Sequence, residues 1–224
     1  MRDGLLYILE LLLTVPTVLL SLTFHEWAHA FVAYKLGDNT AKYQGRLTLN
    51  PFVHLDVVGS ICMLLCGFGW AKPVPVNMLN FKNPKGGMAL TALAGPAINL
   101  ILGIVGCLIY SVLSLFIVPS GNLVLYYILY FFYQFGYLNI FLAIFNLIPL
   151  PPFDGSKILG ATFKDETYLK FMALERYFAI GLFALFFLDS RFLGGYISGA
   201  LNFVVSAIYG GFNYLFYLLF SLFM

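Results

Sequence analysis

The stretch Leu22-Thr-Phe-His-Glu-Trp-Ala-His-Ala-Phe31 lies near the end of an apolar run that starts at Leu5. Two histidines four apart, with a glutamate after the first, stand where a membrane helix ordinarily carries no ionisable group. Such a group costs at least ~2.5 kcal/mol at depth, so its presence there points to a site. On a helix of 3.6 residues per turn, positions i and i+4 share a face one turn apart. His25 and His29 can therefore reach one Zn²⁺, and Glu26, about 100° round the helix, can serve an attacking water as general base.

The composition around this stretch is that of a membrane protein. Of 224 residues, 61% are hydrophobic and 10% charged, against about 25% charged in soluble domains. The net charge of +2 is too small to imply a nucleic-acid partner. Cys62, Cys66 and Cys107 all fall in apolar stretches and read as inert thiols outside any disulfide framework. The N-terminal run is too long for a signal peptide, and no A-x-A-like site precedes His25, so it reads as a retained span.

Outward from the histidines, a span needs about 20 apolar residues. The run 5–36 supplies the first and stops at Gly37-Asp38-Asn39. Residues 37–56 are polar and turn-rich, and Gln44-Gly-Arg-Leu-Thr-Leu49 alternates as a short strand would. The apolar run 57–69 is too short to cross and predicts a re-entrant or interfacial segment; 70–87 is a Pro/Lys/Asn loop. Long apolar runs at 88–118 and 123–149 follow, then an interfacial stretch at 156–170 and further spans at 171–188 and 195–224. The expected fold is a single all-α polytopic membrane domain of about five transmembrane helices, with a short re-entrant or β-like segment after the first.

Ten of the twelve Lys and Arg residues fall at 35–85 or 157–176, which places both regions on the cytoplasmic face. The two spans between them form an out-and-back hairpin, provided that 57–69 does not cross. The N-terminus is then outside and the C-terminus inside.

Zinc held by two histidines needs a third protein ligand and an open position. The candidates are His54, Asp56, Asp154 and Glu175. Asp154 stands out because Asn146-Leu-Ile-Pro-Leu-Pro-Pro-Phe-Asp-Gly155 ends a span in prolines, and Gly155 permits a tight turn. Broken backbone at membrane depth is tolerated only where protein or a water cavity satisfies it. His25 lies about 30 Å along its helix from Leu5, toward the cytoplasmic end from which Asp154 also enters.

These motifs resemble the site-2 protease family of intramembrane zinc metalloproteases, which pairs HExxH with NxxPxPxxDG. The matching residues are His25, Glu26 and His29, then Asn146, Pro149, Pro151, Asp154 and Gly155. Ala94-Gly-Pro-Ala-Ile-Asn99 is similar to the family's AGPxxN element. The blocks Gly45-Arg-Leu-Thr-Leu-Asn-Pro51, His54-Leu-Asp56 and Gly69-Trp-Ala-Lys-Pro-Val-Pro-Val76 resemble its compact prokaryotic branch, which lacks PDZ and CBS modules. The resemblance covers about 10–188 in collinear order. It implies one Zn²⁺ per chain held by His25, His29 and Asp154, with Glu26 as catalytic base. It also implies a prokaryotic cell-membrane location and a substrate transmembrane segment cut near the cytoplasmic face.

A substrate helix must unwind before cleavage, and the alternating pattern of the strand-like 42–49 segment suits capture of it by strand addition. Asn146 and Asn99 have the chemistry to stabilise an oxyanion or hold unwound substrate, and equally that of interhelical glue. His54 either lines the site or is an interfacial histidine without a role. The aromatic stretch 126–137 reads most simply as lipid-facing and as interfacial anchoring. A proton relay of His25, Glu26, His29 and Asp154 in a small transporter is the competing function, but it leaves the HExxH spacing without a reason. Another membrane protease family would use Glu175 as third ligand, although the spacing around it does not fit. A catalytically dead binding protein would have no use for an intact Glu26.

Overall fold

A computed structural model of the chain describes residues 2–59, 70–117, 122–192 and 195–221. Its helices are α1 (Arg2–Lys35), α2 (Thr40–Tyr43), α3 (Pro84–Ile117), α4 (Leu123–Asn146), α5 (Asp154–Gly160), α6 (Asp165–Ala173), α7 (Glu175–Phe192) and α8 (Tyr196–Ser221). Among the described residues four helices are long and apolar enough to cross a membrane: Leu9–Lys35 within α1, then α3, α4 and Ser198–Phe220 within α8. The fifth apolar helix, α7, carries Glu175, Arg176, Asp189 and Arg191 near its ends. Its uncharged middle, 177–188, spans only about 18 Å. The chain is an all-α multi-pass membrane protein.

The helices fall into two compact units. One comprises 1–21, 99–144 and 182–224; the other comprises 22–98 and 145–181.

The first unit is held by close packing and by polar pairs between helices. Buried Cys107, Ile140, Val205 and Tyr209 form its apolar centre, with Tyr137, Phe141, Ile144, Phe212 and Phe216 packed around them. Glycines let α3 and α4 approach closely: a Cβ at Gly106 would lie 2.7 Å from the Gly136 backbone, the contact that small residues permit between membrane helices. Fully buried Asn99 donates to the Asn139 carbonyl at 2.7 Å and to the Ser21 backbone carbonyl at 3.3 Å. Asn139 in turn donates to the Ser21 hydroxyl at 2.8 Å. The aromatic stretch of α4 is not wholly lipid-facing. Tyr133 and Tyr137 pack edge-on against Tyr209 at 5.2 and 5.8 Å, and the Tyr137 hydroxyl donates to the Asn202 side chain at 3.1 Å. The α-helical period puts both tyrosines on the face that meets α8.

The second unit contains the HExxH turn of α1 and the loops that follow. Gly37 at φ 109° ends α1, as its sequence position anticipates, and Gly45 at φ 67° ends α2. Residues 44–49 do not form the expected strand; among the described residues the only β contact is the isolated antiparallel bridge between Leu55 and Ala71. The alternating pattern has a different cause: Gly45 caps α2, and Leu47 packs with Ala30, Ala41, Val74 and Val76. The re-entrant expectation for 57–69 falls mostly outside the described residues, as do Cys62 and Cys66; 57–59 are helical.

Buried Asp38 ties these loops together. It accepts hydrogen bonds from the Thr40 hydroxyl, the Thr40 N–H at 3.0 Å, the Asn77 N–H at 2.7 Å and the Asn80 amide at 2.7 Å. Burial pushes its carboxyl upward, but these donors outweigh burial and hold it below the usual carboxylate range.

Candidate metal centre

The HExxH turn is continuous α1, so His25 and His29 project from one face with ring centroids 4.6 Å apart and ring planes nearly perpendicular. The third group arrives on the broken backbone after α4. Prolines 149, 151 and 152 end helical pairing, and the chain turns through 147–153 before α5 begins at Asp154. Gly155 is required there, because a Cβ would collide with the Leu147 and Ile148 carbonyl oxygens. Phe153 is buried against Phe145 at 4.3 Å, which fixes the residue before the carboxylate.

The result is a triangle of donor atoms. His25 Nε2 and His29 Nε2 are 3.0 Å apart, and each lies 3.1 Å from Asp154 Oδ2. All three residues are buried, at 6–8% exposure. His29 Nδ1 donates to the Thr91 carbonyl at 2.7 Å, which leaves the Nε2 lone pair facing the other two donors. Converging lone pairs repel one another unless a cation or shared proton lies between them. Ligands of one tetrahedral Zn²⁺ at 2.0–2.1 Å stand about 3.3 Å apart, so these donors fit a zinc ion in number, type and spacing. Among the described residues they are the group of His, Cys, Asp and Glu side chains that could hold a metal ion.

Asp154 divides its two oxygens. Oδ2 faces the histidines, while Lys157 Nζ lies 3.4 Å from Oδ1. Burial pushes this carboxyl upward, yet His29, His25 and Lys157 outweigh burial and hold it well below the usual carboxylate range. Glu26, also buried, accepts a hydrogen bond from the Val74 N–H at 2.8 Å.

The remaining sequence candidates lie elsewhere. His54 is buried, and its Nε2 donates to the Thr48 carbonyl at 2.9 Å. Asn146 is the last residue of α4, and Asn99 belongs to the Asn139–Ser21 network of the other unit. Asp56 caps the Gly59 N–H at 2.8 Å, and Glu175 begins α7 outside the donor triangle.

Two contributors escaped sequence reading. The Thr91 carbonyl has no side-chain signature. Gly95, one turn further along α3, leaves room for both imidazoles: a Cβ there would lie 2.5 Å from His29 Nε2 and 2.6 Å from His25 Cε1. A glycine before Pro96 was the available signal, and only the fold reveals what it faces.

Residues 111–188 match the model of peptidase family M50. The chain is 42% identical over 183 residues to the candidate zinc metalloprotease YwhC of Bacillus subtilis, covering 82% of each protein. The chain belongs to peptidase family M50, the site-2 proteases. More distant relatives include the candidate zinc metalloproteases MJ0611 of Methanocaldococcus jannaschii and Rip2 of Mycolicibacterium smegmatis. They are 33% and 29% identical over 61% and 72% of this chain, which spans 63% and 61% of their lengths. No solved structure matches the chain. The M50 peptidase is thus a membrane-embedded protease, and its HExxH and Asp-Gly motifs meet in one buried site.

Proposed function

We propose that this M50 peptidase hydrolyses a peptide bond in or near a transmembrane segment of a membrane-protein substrate, at a site close to the cytoplasmic face. The observation that carries the reading is the donor triangle of His25, His29 and Asp154, with edges of 3.0–3.1 Å, beside the buried carboxylate of Glu26. When bound there, zinc supplies Lewis-acid polarisation of the scissile carbonyl and acidifies water. His25, His29 and Asp154 hold the ion. Thr91 keeps the proton of His29 on Nδ1, and Lys157 draws Asp154 Oδ1 away from the metal face.

Glu26 takes the proton of the attacking water and passes it to the leaving amine. One of its oxygens is occupied by the Val74 N–H, which leaves Oε1 for that transfer. The bond is cut in an unwound stretch of substrate, because helical carbonyls are already hydrogen-bonded. Asn146, at the end of the helix that leads into the Asp154 turn, is the subsidiary candidate for substrate or oxyanion contact; the side chains of Asn99 and His54 are buried in bonds to Asn139, Ser21 and Thr48, which favours a structural role for both.

Purified protein in proteoliposomes with a model transmembrane peptide tests the assignment. Glu26→Gln removes the base and no ligand, so cleavage should fall about 10³-fold, within the range of general-base contributions, with zinc retained at one per chain. Wild-type cleavage by this variant would sink the assignment. The orientation has its own test: single cysteines from Lys42→Cys and Lys82→Cys, in a cysteine-free background, should label from the cytoplasmic side. Labelling from opposite sides would reverse the later helices.

A further inference from the structure

The block Gly45-Arg-Leu-Thr-Leu-Asn-Pro51 contributes no metal ligand, yet its arginine, a side chain that stays protonated in proteins, is 6% exposed. Among the described residues no carboxylate pairs with Arg46. Its Nη2 instead donates to two backbone carbonyls, those of Lys72 and Pro73. Such a cation is retained where its hydrogen bonds hold something in place.

What it holds is the segment 70–74. The Lys72 N–H donates to the His54 carbonyl at 2.8 Å, and Ala71 bridges to Leu55. Gly59 lies so close to Trp70 that a Cβ would collide with the Trp70 carbonyl oxygen. Val74 is buried against Ala30 and Ala41, with Leu47 packed alongside. Prolines at 73 and 75 have no N–H, so Val74 carries the one backbone donor between them, and it goes to Glu26 Oε2 at 2.8 Å.

The Pro73 carbonyl and the Val74 N–H belong to the same planar peptide unit. One end accepts from the Arg46 guanidinium, and the other end donates to the Glu26 carboxylate. A rigid plane pinned at both ends by charged groups transmits position, and hydrogen bonds in series polarise one another. We propose that Arg46 is a positioning residue for the catalytic base, acting through the Pro73–Val74 peptide unit to fix the Glu26 carboxylate and leave Oε1 free. The inference rests on Glu26 being the base. It gives the Gly45–Pro51 and Trp70–Val76 segments a shared purpose: the first clamps the second, and the second aims the base.

The test is steady-state cleavage of a model transmembrane peptide, with zinc content measured on the same preparations. Arg46→Ala should lower kcat 10- to 100-fold, the scale of a misplaced catalytic group, while KM stays within about twofold and zinc stays at one per chain. Arg46→Lys should recover part of the loss, because an ammonium can still donate to one of the two carbonyls. Val74→Pro removes the N–H, whereas Val74→Ala removes only packing, so the proline variant should fall at least tenfold below the alanine variant in kcat. Combining Arg46→Ala with Val74→Pro should cost no more than Val74→Pro alone, because both act through one hydrogen bond. Equal kcat for the two Val74 variants, or an Arg46→Ala defect confined to KM or zinc content, would overturn the proposal. Glu26→Gln run alongside separates the two readings. Full activity there removes the base itself, whereas an inactive Glu26→Gln with an unimpaired Arg46→Ala removes only the positioning role.

Discussion

The two units of the molecule are built from different interactions. The unit of 22–98 and 145–181 is marked by directional contacts to single atoms: the converging side-chain atoms of His25, His29 and Asp154, the Thr91 carbonyl, the Val74 N–H and the four bonds to Asp38. The unit of 1–21, 99–144 and 182–224 is held by edge-on aromatic rings, close glycine contacts and a buried asparagine pair. Directional bonds fail one at a time and completely. Packing fails gradually, because each contact is worth only a tenth or two of a kcal/mol. Chemistry that needs sub-ångström placement belongs to the first kind of construction, and a scaffold can be made from the second.

The sharpest way to break this contrast is at the third ligand. Asp154→Ala should abolish both zinc binding and cleavage, because two histidines alone leave the site open. Glu175→Ala should keep its metal. Metal analysis after mild chelation checks both, and loss of zinc in Glu175→Ala with retention in Asp154→Ala would reassign the ligand.

A smaller effect is expected one step out from the metal. Gly95→Ala adds a single methyl where both imidazoles sit, so zinc affinity should drop about 10- to 100-fold, as for other losses of ligand orientation. Competition with a zinc-binding dye measures this, and unchanged affinity would mean that α3 does not shape the site.

In the packed unit the same kind of perturbation should be mild. Asn139→Ala removes the partner of Asn99 and Ser21 and should cost about 1 kcal/mol, the usual scale of an interhelical hydrogen bond in a membrane protein. Zinc stoichiometry should be untouched. Thermal unfolding in detergent reads the stability, and loss of metal in this variant would erase the distinction between the two units.

The smallest effect is electrostatic. Asp38 has its carboxyl held below the ordinary value of 3.8, so the stability it contributes is fully present above about pH 4 and is lost as pH falls through the folded value. The difference in unfolding temperature between wild type and Asp38→Asn should therefore be constant from about pH 7 to pH 5 and shrink below about pH 4. A gap that widens on acidification would contradict the sign.

How much of this was legible beforehand follows the same division. Side chains that carry chemistry leave a trace: HExxH fixes two residues one turn apart, and the prolines before Asp154 announce a broken helix. Apolar run lengths gave the long helices, and Gly37 gave the end of α1. The alternating 44–49 segment misled because alternation also arises when a glycine cap is followed by one residue that packs, here Leu47. Tyr133 and Tyr137 looked lipid-facing because composition does not say which helix will cover them. Backbone groups were invisible altogether. The Thr91 carbonyl and the Val74 N–H belong to every residue type except, for the latter, proline, and only the fold brings them to His29 and Glu26.

The central claim is that α1 and the Asp154 turn together hold one zinc ion. Zinc-edge X-ray absorption on protein purified without chelators tests it most directly. The account predicts about one zinc per chain, coordinated by two imidazole nitrogens with oxygen completing the shell and no sulfur. A zinc shell lacking two imidazoles, or a protein that cleaves its substrate with no metal bound, would contradict it.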